Sequence, residues 1–256
     1  MNRSDSAIEA AIVDLDGTMV DTLGDFVVAL NLMLADLALP GVDRSVVELR
    51  VGKGSEHLIQ SVLKFVQNGP VARAVQAPPA MKSGANWDVA DLYPTAWASY
   101  QRHYLAINGK HAEVYPGVIE GLRRLQDRGL ALACLTNKPT AFALPLLKAK
   151  GLDGFFSQVF GGDAFERKKP DPLPLRKTCE ALGSLPARSL MIGDSSNDAL
   201  AARAAGCPVL LVTYGYNHGE PLSAVDADGF VDTLAAIDLS RLKSKAGPTP
   251  RHVPAS

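Results

Sequence analysis

The sequence predicts an α/β protein: a doubly wound, mostly parallel, Rossmann-like sheet with an all-helical domain inserted into it. Three observations carry that expectation. A short apolar run, Ala10-Ala11-Ile12-Val13, ends in Asp14-Leu15-Asp16-Gly17-Thr18. From Leu130 onward, strand-like runs alternate with helical ones, the pattern of a sheet covered on both faces. Between these two regions lie about ninety residues with helical periodicity alone, far more than a right-handed crossover needs.

Each element has its own signal. Ala10 to Val13 is apolar, partly β-branched and free of polar alternation, which reads as a strand buried on both faces. Helical periodicity runs over Asp21 to Leu39, Ser45 to Leu49, Leu58 to Val66 and Thr95 to Ile107. Pro78-Pro79 through Asn86 reads as an exposed loop. Trp97, Tyr100 and Tyr104 share a helical spacing and are assigned to the core of the insertion ahead of a substrate-stacking role. Leu130 to Leu135 is a strand and Thr140 to Lys150 a helix. Gln158-Val159-Phe160 is a short strand and Pro172 to Leu182 a helix. Leu190-Met191-Ile192 is a strand running into Gly193-Asp194. Asn197 to Ala205 is an alanine-rich helix stopped by Gly206. Val209 to Val212 is another strand, and Phe230-Val231 the last. The expected division is 1–20 and 110–242 for the α/β core, 21–109 for the helical insertion, and a polar, proline-containing tail at 243–256 that is expected to be disordered.

Composition excludes several classes. The 256 residues suffice for one sizeable core plus an insertion, and the 47% hydrophobic share is that of a globular protein. A net charge of −1 gives no electrostatic case for nucleic acid or an anionic membrane surface. No apolar run is long enough to span a bilayer, and the start lacks the layout of a secretory signal. Cys134, Cys179 and Cys207 have neither metal-ligand spacing nor an even count, so a reducing cytoplasm is expected.

The chemistry concentrates at strand ends, where open α/β sheets bind ligands. Two carboxylates two residues apart after a buried strand are costly unless compensated. Asp14 has the chemistry of a carboxylate nucleophile and Asp16 that of a general acid and base; the plainer reading is a strand-to-turn cap. Leu135-Thr136-Asn137-Lys138-Pro139, Lys168-Lys169-Pro170-Asp171-Pro172 and Gly193-Asp194-Ser195-Ser196-Asn197-Asp198 follow in order. Thr136 offers a hydroxyl, and the backbone amides near Asn137 can also donate; a turn-forming Thr-Asn pair is the alternative. Asp194 is otherwise a helix N-cap.

Taken together, these four segments resemble the motifs of the haloacid dehalogenase superfamily in its phosphatase branch. Within that branch the chain is most similar to the bacterial phosphoglycolate phosphatases, over Ile8 to about Leu239, with Tyr115-Pro116-Gly117-Val118, Gly161-Gly162-Asp163 and Tyr214-Gly215-Tyr216 adding to the likeness. The resemblance implies a mobile helical cap over the site and a magnesium-dependent phosphomonoesterase working through an aspartyl phosphate. Its substrate would be a small organic phosphate, 2-phosphoglycolate foremost. It implies Asp14 as nucleophile, Asp16 as acid and base, and Lys169 as the cation touching nucleophile and phosphate, with Lys168 left exposed. Thr136 and Asn137 would hold the phosphoryl group. Four converging carboxylates require cations, since two unit charges ~4 Å apart repel by about 4 kcal/mol at an effective dielectric near 20. Hard oxygen ligands without histidine or cysteine suit Mg2+. The resemblance puts it on the Asp14 carboxylate, the Asp16 backbone carbonyl and Asp194, with Asp198 in support.

The loop Arg50-Val51-Gly52-Lys53-Gly54 is expected to select substrate, with Gly52 allowing close backbone approach and Arg50 and Lys53 neutralising a substrate carboxylate. A sugar-phosphate or other small-metabolite phosphatase, and a phosphosugar mutase, remain as alternatives. A regulatory protein on an inactive core would be expected to lack Asp14, Asp16 or Lys169, and all three are present. The expected partner is a small phosphate ester, with the chain a monomer or homodimer.

Overall fold

The structure is a computed structural model in which residues 8–68 and 87–242 are described. The expectations for the Pro78–Asn86 loop and the 243–256 tail lie outside the described residues. In chain order the elements are β1 (Ala10–Val13), β2 (Val20–Asp21), α1 (Leu23–Asp36), α2 (Arg44–Glu48), α3 (Ser55–Asn68) and α4 (Val89–Ile107). Then follow β3 (Glu113–Val114), α5 (Val118–Asp127), β4 (Ala131–Leu135), α6 (Thr140–Ala149), β5 (Gln158–Phe160) and α7 (Leu173–Ala181). β6 (Ser189–Gly193), α8 (Ser196–Ala205), β7 (Val209–Val212) and β8 (Gly229–Val231) complete the set.

The main sheet has six strands in the order β5-β4-β1-β6-β7-β8, every pairing parallel. β1 is central because each of its residues is fully buried and both edges are paired: Ile12 lies opposite Ala133 on one side and Met191 on the other. Its alternating side chains serve two cores. Ala11 and Val13 pack with Leu122 and Leu125 of α5 and with Leu146 and Leu147 of α6. Ile12 packs with Leu175 and Cys179 of α7 and with Ala199 and Ala202 of α8. Chain order runs outward from β1 to β4 and β5, then returns to β6 on its other side. That reversal opens a crevice at the carboxyl end of β1.

Helices α1 to α4 form the cap. Their core is a separate cluster that includes Phe26, Leu30 and Met33 of α1, Ile59, Val62 and Leu63 of α3, and Tyr100 and Tyr104 of α4. Phe142 of α6 and Tyr216, in the loop after β7, join it from the α/β side. Two features of the junction have no sequence signal. β2 and β3 pair antiparallel as a two-stranded ribbon, too short for any periodicity to register. Asp25, fully buried in the first turn of α1, accepts from the amides of Gly109 (2.6 Å) and His111 (2.8 Å), clamping the outgoing and returning chain together.

Several element boundaries differ from expectation, and one helix is new. α4 begins at Val89 instead of Thr95, because Asp88 caps it by accepting from the Ala90 amide while Pro94 is accommodated inside the helix. α1 ends at Asp36, three residues before Leu39, and Ala38 takes a φ of 53°. α5, unassigned from sequence, starts after Gly117 in a left-handed conformation. Among the described residues, no helix is long and apolar enough to cross a membrane.

Candidate active site

The site is assembled by the loops that follow β1, β4 and β6. The Asp14 amide still bonds the Ile192 carbonyl at 2.9 Å, so the sheet holds the chain up to the first aspartate. Beyond it the chain turns at Gly17, whose φ is +82°. Asp14 Oδ1 accepts from the Leu15 amide at 2.7 Å and lies 3.0 Å from Lys169 Nζ. Asp16 Oδ1 takes Lys138 Nζ at 3.0 Å.

Lys169 is buried, and its ammonium has three oxygen partners: Asp14 Oδ1, Asp198 Oδ1 at 2.7 Å and the Leu135 carbonyl at 2.8 Å. Burial alone would lower its pKa, but the facing Asp14 and Asp198 carboxylates raise it above an ordinary lysine. Its backbone is fixed by Asn137, whose amide nitrogen donates to the Lys169 carbonyl (2.8 Å) and whose oxygen accepts from the Lys169 amide (3.0 Å). Asp198 stands at the start of α8. Its Oδ2 reaches back to the amides of Asp194 and Ser195 and to the Ser195 hydroxyl, so both of its oxygens are occupied. Lys168, next to the buried lysine, is half-exposed and pairs with Glu56 of the cap at 2.7 Å.

Asp194 is held by two groups. Thr18 donates to Oδ1 at 2.9 Å and the Tyr216 amide to Oδ2 at 2.7 Å. Oxygens of Asp14, Asp194 and Asp198 all come within 4.8 Å of one another. Burial pushes the Asp14 carboxyl up to about 7, with Lys169 opposing and Asp198 adding to the rise. It drives Asp194 well above the carboxylate range, with Asp198 and Asp14 reinforcing. Once ionised, three carboxylates facing one ammonium carry an excess of two negative charges. An all-oxygen donor set with that excess fits a hard divalent cation such as Mg2+.

The loop after β4 supplies the other wall. The Thr136 hydroxyl accepts from the Lys138 amide at 3.2 Å, which leaves its own hydrogen to donate into the pocket it lines. Asn137 lines the same pocket, but its side-chain donors go to the Lys169 carbonyl and, at 3.1 Å, to the Gly52 carbonyl of the cap. It therefore joins Lys169 to the cap, and the donors expected to hold a phosphoryl group here are the Thr136 hydroxyl and the backbone amides near Asn137 rather than this side chain. Gly52 also accepts from Asn197 Nδ2 at 3.2 Å.

The cap loop meets the pocket through Val51, Gly52 and Gly54, with Ser55, Leu58 and Phe26 beside them. Gly52 and Gly54 have φ of +105° and +88°, conformations that glycine adopts without strain. Of the two side chains expected to reach a substrate carboxylate, Arg50 is engaged elsewhere. Arg50 Nη1 donates to the Val46 carbonyl at 2.6 Å and its guanidinium lies 4.8 Å from the Phe65 ring. A cation at the end of α2 is drawn to the free carbonyls there and to an aromatic face. Lys53 is exposed.

Three participants were not singled out from sequence. Thr18 and Tyr216 orient Asp194, and Lys138 pairs with Asp16. The only signal for Lys138 was its place in the Leu135–Pro139 segment. For the other two, nothing local marks a hydroxyl or an amide that will meet a carboxylate far away in the chain.

The chain is similar to known proteins in sequence and in fold. The family model for haloacid dehalogenase-like hydrolases matches residues 8–206. The chain is 40% identical to a phosphoglycolate phosphatase of Thiobacillus denitrificans, covering 93% of this chain and 97% of that one. It is also 40% identical to a plasmid-encoded phosphoglycolate phosphatase of Cupriavidus necator, covering 89% and 90%. A crystal structure described as a predicted phosphoglycolate phosphatase from Haemophilus somnus 129PT superposes with a TM-score of 0.80 at 31% identity, covering 89% of this chain and 95% of that one.

Proposed function

The chain belongs to the haloacid dehalogenase-like hydrolase family as a phosphoric monoester hydrolase, and from that premise we propose that it hydrolyses 2-phosphoglycolate to glycolate and phosphate through an aspartyl phosphate on Asp14. The observation that carries the mechanism is the pairing at the end of β1. Asp14 lies against the buried ammonium of Lys169, and Asp16 stands two residues away on its own lysine. The names of the bacterial relatives support the substrate.

In the first step an Asp14 carboxylate oxygen attacks phosphorus, and the bond from phosphorus to the ester oxygen breaks. Asp16 gives its proton to the departing alkoxide. In the second step a water oxygen attacks the same phosphorus, Asp16 takes a proton from that water, and the Asp14–phosphorus bond breaks. Lys169 and the Thr136 hydroxyl hold the phosphoryl oxygens, so fixed charges meet the developing charge without reorganising. The Asp14 and Asp194 carboxylates and the Asp16 backbone carbonyl would hold Mg2+, which when bound neutralises charge on the phosphoryl oxygens as a Lewis acid. The cap, bonded down through Gly52, excludes bulk water from the aspartyl phosphate.

The test is phosphate release across a panel of small phosphate esters, for the wild type and for Asp14→Asn. The expected result is the highest kcat/KM on 2-phosphoglycolate, with turnover in the folded variant reduced by about a thousandfold or more. Substantial activity in Asp14→Asn would overturn the nucleophile. A sugar phosphate at the head of the panel would replace the substrate, and an isomeric product with little free phosphate would make the enzyme a mutase.

A further inference from the structure

Among the described residues that line the pocket, Lys138 is the one whose cationic group bridges the two domains. It follows Thr136 and Asn137 in the loop after β4, and its side chain is 1% exposed. Its Nζ lies 3.0 Å from Asp16 Oδ1 and 2.6 Å from the Tyr104 hydroxyl of α4. It also stands 4.6 Å from the ring centre of Phe26 of α1 and 4.7 Å from that of Tyr104. The ammonium is thus boxed by two cap aromatics and directed at one oxygen of the residue read as the proton donor.

We propose that Lys138 is a positioning residue that orients Asp16 for proton delivery, and that the cap completes this arrangement by supplying Tyr104 and Phe26. The proposal rests on the reading of Asp16 as general acid. An ammonium bound to Oδ1 leaves Oδ2 as the oxygen that carries the proton, and holds the carboxyl in one orientation. A buried ammonium is stable only where carboxylate, hydroxyl and ring faces replace its water. With the cap lifted, Tyr104 and both rings are withdrawn, the ammonium rehydrates, and Asp16 loses its fixed partner. Proton transfer is therefore set up only when the site is covered.

Leaving-group chemistry separates positioning of the acid from general support of the site. Glycolate and ethanol leave as strongly basic alkoxides and need the proton, whereas 4-nitrophenolate leaves without it. We would measure kcat and KM on 2-phosphoglycolate, ethyl phosphate and 4-nitrophenyl phosphate for Lys138→Met, Tyr104→Phe and Asp16→Asn. In Lys138→Met, kcat on both alkyl esters should fall by about a hundredfold, at least about tenfold more than on the aryl ester, with KM moving less than kcat. Tyr104→Phe should show the same ratio with a smaller loss, and it decides the matter if Lys138→Met does not fold. Equal losses on all three esters would reduce Lys138 to structural support. A loss confined to 2-phosphoglycolate would make it a carboxylate-binding residue; either result overturns the proposal. Asp16→Asn tests the underlying reading by itself: if it lacks the leaving-group pattern, Asp16 is not the acid and the proposal falls with it.

Discussion

At Gly17 the chain takes a φ of +82°, and a Cβ there would lie 2.2 Å from Asp194 Oδ2. The first requirement is satisfied cheaply only by glycine, and the second reflects how closely the turn after β1 is packed against the loop after β6. Gly17→Ala combines left-handed strain with a displaced carboxylate. The expected cost is about 2 kcal/mol, or roughly 4–8 °C in Tm for a chain of this size. Because the displaced group is Asp194, affinity for Mg2+ should weaken in the same variant. A melting temperature within about 1 °C of wild type would show that the turn relaxes freely. Asp14 belongs to the same scale: its pKa of about 7 follows from burial, and the carboxylate is kept usable by Lys169 on one of its oxygens.

The elements act through their connecting loops. β1, β4 and β6 are neighbours in the sheet, so the loops leaving them converge without any contact in sequence. Asn137 is the joint among them, bonding both backbone polar groups of Lys169 and the cap carbonyl of Gly52. Asn137→Ala would remove all three bonds and leave buried groups unpaired. On the proposed reading, in which Lys169 holds the phosphoryl group common to every substrate, kcat/KM should fall by about tenfold or more, and equally on alkyl and aryl esters. That is the opposite pattern to the one expected at Lys138. A loss restricted to one ester would show that Asn137 contacts the organic part of the substrate instead.

At the scale of the molecule, the fold gathers like charges at one buried point. Asp14 has a raised pKa in the folded protein, about 7 against an ordinary 3.8, and Asp194 is shifted the same way. In chelator the folded state therefore retains protons that the unfolded chain has released. The stability this contributes is fully present below pH 4 and is lost as pH rises through about 7. A Mg2+ ion held by these residues would favour the ionised carboxylates and reverse the loss. The gain in Tm on adding Mg2+ should thus grow between pH 5 and pH 8, and turnover should vanish in chelator and return with Mg2+. A gain independent of pH, or full turnover in chelator, would count against a cation held by Asp14 and Asp194.

Much of this was legible in the sequence because it depends on local order. β1 shows as an unbroken apolar run since both of its faces are buried, and its acidic end marks the crevice because strand ends face ligands in a parallel sheet. The strands at Gln158–Phe160 and Val209–Val212 are bounded as their apolar runs predict. Asp14, Asp16, Thr136 and Asp194 could be named because each stands at the end of such a run, whereas Lys169 and Asp198 were named from the resemblance of their segments to a known family. What the sequence could not carry was which donors meet which acceptors. Arg50 in a glycine loop looks like a substrate ligand, but its position at the end of α2 turns it to Val46 and Phe65. Lys138 looks like one more basic residue in a turn, and only the packing of α1 and α4 over the β4 loop makes it the partner of Asp16. The sequence by itself determined the sheet, the insertion and the carboxylates, since periodicity and strand-end chemistry are properties of neighbouring residues. Tertiary structure alone decided the pairing of charges and the contact of cap with core, since those depend on distances between residues from 29 to 176 positions apart.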